Sequence, residues 1–225
     1  MVVLLVVLTV LCFITVEMAI RLKERRRVEA SIRAMDPATF LPYRPAYEMP
    51  GGLFFHGGHT WAKLEDSGNV QVGLDGFAQG ILGKVDRYEL PATGKRVRQG
   101  EPALAVHQSG KRIEFVAPVD GEIYAVNERL NADLRGAREN PYEKGWAVVI
   151  RPTNLAHNLK KLRIGTEASP WLEKEVRRFV EFLTLYRAVP QEIGVTMPDG
   201  GFHTEGVMET MDGEILQLAV KKFFR

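Results

Sequence analysis

The residues of this chain with chemistry to offer are His56, His59, His107, Ser109 and Lys111. His56-Gly57-Gly58-His59 sets two imidazoles close together, a spacing that could serve a metal. A zinc site needs about three or four convergent ligands with partners behind them. The flanking sequence supplies no more, so no metal is expected. His107 and Ser109 pair a base with a hydroxyl, but an activated serine needs an oriented base and an oxyanion hole. An exposed turn encloses neither. Gly51-Gly52 and Gly57-Gly58 are not phosphate loops, because no helix start or lysine follows at the proper spacing. Lys111 follows Ser109-Gly110 in VHQSGKRIEFVAPVDGEI, residues 106–123, which reads as strand, tight turn, strand and further turn. It places a primary amine at or beside a bend. No catalytic residue is assigned, and the chain is read as non-catalytic.

Positioning these residues falls to a β-rich middle region. From 53 to 152 short alternating runs (70–72, 95–98, 104–106, 113–115, 123–126) are separated by Gly68, Gly94, Gly100, Gly110 and Gly121. Many short strands with turn signals between them predict a sandwich or barrel. One helical patch, 77–82, interrupts the series. Beyond it, Ser169-Pro170 predicts a helix start, and Leu172, Val176, Phe179, Val180 and Leu183 recur at helical spacing. Val189-Pro190 ends that helix. Asp199-Gly200 and Asp212-Gly213 are hairpin signals that predict a three-strand meander over 192–197, 203–211 and 214–222.

Ahead of the β region stands MVVLLVVLTVLCFITVEMAI, without charge before Glu17 and followed by Arg21, Lys23, Arg25, Arg26 and Arg27. A helix of about 20 residues crosses a bilayer, and positive charge favours the cytoplasmic side. Residues 1–21 are therefore expected to be a transmembrane anchor that makes the membrane a partner through 2–20. The protein is expected to be single-pass in the cell membrane, its folded part in the cytoplasm. Cys12, the only cysteine, lies in this run and excludes an intramolecular disulfide. Residues 22–52 form a basic juxtamembrane segment and a linker stiffened by Pro37, Pro42, Pro45 and Pro50. The formal net charge of +2 gives no reason to expect a nucleic-acid partner.

The middle region also carries an ordered series of short motifs: His59-Thr60-Trp61, Val72-Gly73-Leu74-Asp75-Gly76-Phe77-Ala78-Gln79, Leu82-Gly83-Lys84-Val85 and Glu89-Leu90-Pro91. Gly100-Glu101-Pro102, Ala117-Pro118-Val119-Asp120-Gly121, Asn140-Pro141-Tyr142 and Gly145-Trp146 complete it. In order and spacing it resembles the H protein of the glycine cleavage system over 53–152. The resemblance implies a mainly β fold, a lipoyl-type barrel-sandwich hybrid of two small sheets, with His59 as part of the scaffold. Around that domain the sequence predicts the transmembrane helix and, over 153–225, an α+β extension of helix and β-meander.

The resemblance further implies a carrier hairpin whose lysine bears lipoate in amide linkage, seven residues before the alanine of Ala-Pro-Val. In this sequence Gly110 stands at that position, His107 takes the place of the family's glutamate, and Lys111 is one residue late. Two readings of Lys111 follow. Either the turn re-registers and Lys111 is the lipoyl attachment site, shuttling an aminomethyl or other thiol-bound intermediate as in glycine decarboxylation. Or Gly110 closes the turn and Lys111 is a solvated strand residue beside Arg112. One step along a strand reverses the face of a side chain, which favours the second. The expectation is a docking or scaffold module without lipoate or another cofactor, whose partners could be glycine-cleavage-like enzymes.

Overall fold

The computed structural model describes residues 15–18, 23, 49–164, 167–186 and 206–225. The β region opens with a meander of β1 (Leu53–Phe55), β2 (Thr60–Leu64) and β3 (Val70–Leu74), paired antiparallel with Phe55 opposite Trp61 and Trp61 opposite Gly73. Asp75 then starts helix α1 (Gly76–Leu82), its carboxylate accepting the Ala78 amide at 2.8 Å. This N-cap satisfies one of the donors a helix start leaves open.

Next come β4 (Arg87–Glu89), β5 (Arg96–Val97), β6 (Pro102–Gln108), β7 (Lys111–Val116) and β8 (Gly121–Val126), then α2 (Leu134–Glu139), β9 (Trp146–Pro152), α3 (Leu155–Leu159) and β10 (Arg163–Ile164). They assemble into two sheets, one ordered β10-β1-β2-β3-β9-β8-β5 and the other β4-β6-β7. The inward residues of both, among them Val72, Leu74, Val106, Ile113, Phe115, Ile123 and Val148, share one buried core with α1. The mainly β arrangement of two sheets is as expected from the sequence.

Several of the quoted motifs are explained by packing around Trp61. Its indole N–H donates to the carbonyls of Leu74 at 3.0 Å and Pro141 at 3.1 Å. A side chain at Gly73 would come within 2.8 Å of the indole, so that position is held small. The Tyr142 hydroxyl accepts the Gly76 amide at 3.0 Å.

The C-terminal part departs from expectation. Helix α4 (Ala168–Leu185) buries Leu172, Phe179 and Leu183, as its periodicity predicts, and also Phe182, while Val176 and Val180 are half-buried and Ser169 sits inside its first turn rather than before it. Residues 207–209 form a 3₁₀ turn and 213–223 form helix α5 (Gly213–Phe223), where the sequence predicts strands. Leu216, Leu218 and Val220 alternate like a strand, yet the buried positions are Leu216, Ala219 and Phe223. That is helical spacing. Leu218 stays exposed. The expected strand over 192–197 and the turn at Asp199-Gly200 lie outside the described residues.

The membrane-spanning helix of the expected fold class is also corrected. Among the described residues no helix is long and apolar enough to cross a membrane. The longest, α4, carries Glu173, Lys174, Glu175, Arg177, Arg178 and Glu181, and its apolar residues cover only one side. Apart from the helical residues 15–18, the apolar run at 2–20 and its Cys12 lie outside the described residues.

Candidate functional site

The hairpin joining β6 to β7 is the feature on which a functional reading turns. Gln108 pairs with Lys111, His107 with Arg112, Val106 with Ile113, and Leu104 with Phe115. Only Ser109 and Gly110 remain for the bend, at φ +50 and +75. Two central residues with positive φ make the tight turn whose twist suits an antiparallel pair. Gly110 occupies the second of them, exposed, with no atom within 4 Å of where a Cβ would stand.

Cross-strand partners share a face, and faces alternate along a strand. Ile113 and Phe115 point into the core, so Lys111 and Gln108 lie on that same side of the sheet, while His107 and Arg112 lie on the other. Lys111 is accordingly half-buried, and its ammonium donates to the carbonyl of Met211. It is not the solvated strand residue that the sequence suggests. Gln108, fully buried, reaches the other way and donates to the carbonyls of Leu82 and, at 2.8 Å, Lys84. These bonds fasten the hairpin to the end of α1.

On the outer face the side chains form a charged lattice. Glu89 accepts from His107 Nε2 at 2.6 Å and from Arg112 at 2.9 Å, and Arg112 also reaches Glu114. Arg112 first, then His107, holds the Glu89 carboxyl down at about 2 by hydrogen bonding. Arg112 is in turn held above its ordinary range by Glu89 and Glu114. The remaining nitrogen of His107 lies 3.3 Å from Arg87. The imidazole is thus occupied on both sides, and the hydrogen bond described for Ser109 is its backbone amide to Asp86 at 2.7 Å. No base–hydroxyl pair is formed.

His56 and His59 serve separate structural tasks. His56 Nδ1 accepts the Gly58 amide at 2.9 Å, and burial, reinforced by Arg163 and His59, lowers its pKa to about 4. His59, at φ +60, is wholly buried, with Nδ1 at 2.8 Å from Asp75 Oδ2 and its ring stacked on Trp171 at 5.2 Å. Among the described residues no group of three or more His, Cys, Asp or Glu side chains is placed to hold a metal.

The contacts that sequence reasoning missed come from the far end of the chain. Glu209 Oε1 accepts the Lys84 amide at 2.6 Å across 125 positions, and Met211 receives Lys111 across 100. No local pattern encodes such pairs. The turn itself has no lysine side chain, and the nearest ammonium, that of Lys111, is turned inward and bonded to the Met211 carbonyl.

Comparison with known proteins follows the same outline. The family model for the glycine cleavage H-protein matches residues 53–175, extending past 152 to take in α3, β10 and the first turns of α4. A probable glycine cleavage system H protein from Thermococcus gammatolerans is 36% identical over 127 residues, covering 56% of this chain and 94% of its own length. The glycine cleavage system H protein of Methylococcus capsulatus is 37% identical over 107 residues, covering 48% and 84%. The crystal structure of a glycine cleavage system H protein from Mycobacterium marinum matches with a TM-score of 0.49 and 26% identity, over 55% of this chain and 98% of that one.

Proposed function

Because the chain belongs to the glycine cleavage H-protein family, we propose that its β domain serves as an H-protein-like docking module that carries no lipoate on its hairpin and catalyses no reaction itself. The observation that carries this reading is the register of the bend. Ser109 and Gly110 take both turn positions, so Lys111 becomes the first residue of β7 and faces inward to the Met211 carbonyl. A covalent arm that visits other proteins has to leave from a point free of its own scaffold, because its effective concentration at a partner depends on what its tether can reach. An ammonium held on the core side of a sheet does not meet that requirement.

What the module offers instead is a rigid shape with a fixed charge pattern. Glu89, His107, Arg112 and Glu114 form a surface whose side chains are ordered by one another. Individually such exposed pairs contribute little stability, but they define where a complementary surface can sit. The proposed partners are glycine-cleavage-like enzymes, the class the relatives' names point to.

The test is co-expression with a lipoate-attaching enzyme and lipoate, with an ordinary H protein as control. Intact mass and peptide mapping are then read. The control is expected to gain the lipoyl group while this chain keeps its unmodified mass. A lipoyl group mapped to Lys111 overturns the reading in favour of a working carrier.

A further inference from the structure

We propose that residues 206–225 are an intramolecular latch that seats on the hairpin end of the β domain and withholds the Lys111 amine from acylating reagents. The proposal rests on reading the hairpin as the functional end of an H-protein-like module, and adds how access to it is controlled.

The family model ends at 175, so this segment lies outside it. Its contacts converge on the hairpin and on the elements that flank it. Gly206 donates its amide to the Gly80 carbonyl at 2.8 Å, and Glu209 accepts the Lys84 amide. Between these two bonds the strap passes directly over Gly83, at φ +72. A Cβ there would lie 2.2 Å from Glu209 Oε1 and 2.5 Å from Gly206 Cα. The seat exists only because that residue has no side chain. One turn further on, the carbonyl of buried Met211 takes the Lys111 ammonium. Helix α5 then returns the chain along β7. There Phe224 packs on Phe115 with ring centroids 4.7 Å apart, and Arg225 reaches Glu114 at 3.4 Å.

Val207, Met208, Met211 and Leu216, together with Phe223 and Phe224, seat the segment in the β domain's core. Its polar bonds, from Gly206, Glu209 and Met211, fall on the end of α1 and on the hairpin lysine. The segment holds Lys111 directly: its ammonium donates to the Met211 carbonyl, and its side chain is half-buried. An acyl transfer requires the neutral amine to attack the acyl carbonyl, with the N–C bond forming as the leaving group departs and the ammonium proton passing to solvent. An amine engaged by the strap's carbonyl is not free to make that attack.

The probe is N-hydroxysuccinimide acetate on the full-length chain, with per-lysine rates read by peptide mass spectrometry. Exposed Lys95 is the internal standard. Lys111 is expected to acetylate at least about tenfold more slowly than Lys95, the least that one hydrogen bond to a charged group sets on opening. Glu209→Ala removes an exposed anchor without touching the core, and Gly83→Ala blocks the seat itself. Each is expected to bring Lys111 to within about threefold of Lys95. Equal rates in the unaltered chain overturn the latch, as does protection that survives both substitutions. Because no modifying enzyme takes part, these outcomes are independent of whether the chain accepts lipoate.

Discussion

Replacing Gly110 by lysine restores a side-chain amine at the family's carrier position, and the structure sets what this costs. The backbone there is at φ +75, in the left-handed region, where an L side chain adds about 1–2 kcal/mol. Ser109 already occupies the same region at φ +50, so the bend accommodates a Cβ. No atom lies within 4 Å of the new Cβ, which removes any steric addition to that figure. Against a typical stability of about 5–15 kcal/mol the loss is tolerable, and Tm is expected to fall by roughly 2–8 °C. The introduced amine leaves from the exposed tip, whereas Lys111 stays turned to Met211. Co-expressed with a lipoate-attaching enzyme, the Gly110→Lys chain is expected to gain one lipoyl group mapped to position 110. Should the variant melt cooperatively within that range and still keep its unmodified mass, the reasoning fails. The missing lysine would then not be what keeps this domain bare, and residues such as His107 would have to exclude the enzyme.

Other predictions concern the scaffold. Phe224→Ala empties a fully buried site against Phe115 and His59 and is expected to cost about 3–5 kcal/mol; a urea midpoint implying less than about 1 kcal/mol would mean the aromatic end is not packed as described. Tyr88 and Gln79 exchange hydrogen bonds of 2.8 and 3.0 Å in the interior, and burial raises the phenol to about 12. Tyr88→Phe strands the amide and is expected to lose about 1–3 kcal/mol in the same measurement. His56 titrates at about 4 when folded and near 6.5 when unfolded, so the unfolded chain binds more protons between those values. Stability is expected to decline as pH falls through that window, by up to about 3 kcal/mol. His56→Asn, which cannot take up the proton, is expected to flatten the decline.

Much of the β domain is legible because its signals are local. Glycines mark bends, alternation marks half-buried strands, and the run from Val72 to Gln79 carries a strand end, a cap and a helix start in sequence order. The bend at 109–110 is also legible in register, since counting back from Ala117 already places Gly110 at the carrier position. What that count does not reveal is where Lys111 goes. Its partner is a carbonyl on a distant segment, and alternation gives the face but not what covers it. Helix α5 is misread for a related reason. Leu216, Leu218 and Val220 satisfy a period of two, and only the tertiary neighbours of Ala219 and Phe223 decide for the helix. The first turns of α4 fall within the family match although the quoted motifs stop short of them, because Ala168, Trp171 and Leu172 pack against residues about a hundred positions away, among them His59 and Trp61.

The pairing of β1 with β10 and of β3 with β9 has a kinetic consequence. Phe54 lies opposite Ile164, and Val70 opposite Ile150, so the large sheet closes only after long stretches of intervening chain have been gathered. Each such closure loses chain entropy before any contact compensates it. Sheets dominated by distant pairings form in roughly milliseconds to seconds rather than microseconds. The two-residue bend between β6 and β7 needs no such search and can zip early. Refolding followed by stopped-flow fluorescence should therefore show the tryptophans, Trp61 among them, reaching their final environment in roughly milliseconds to seconds, long after a hairpin has had time to form.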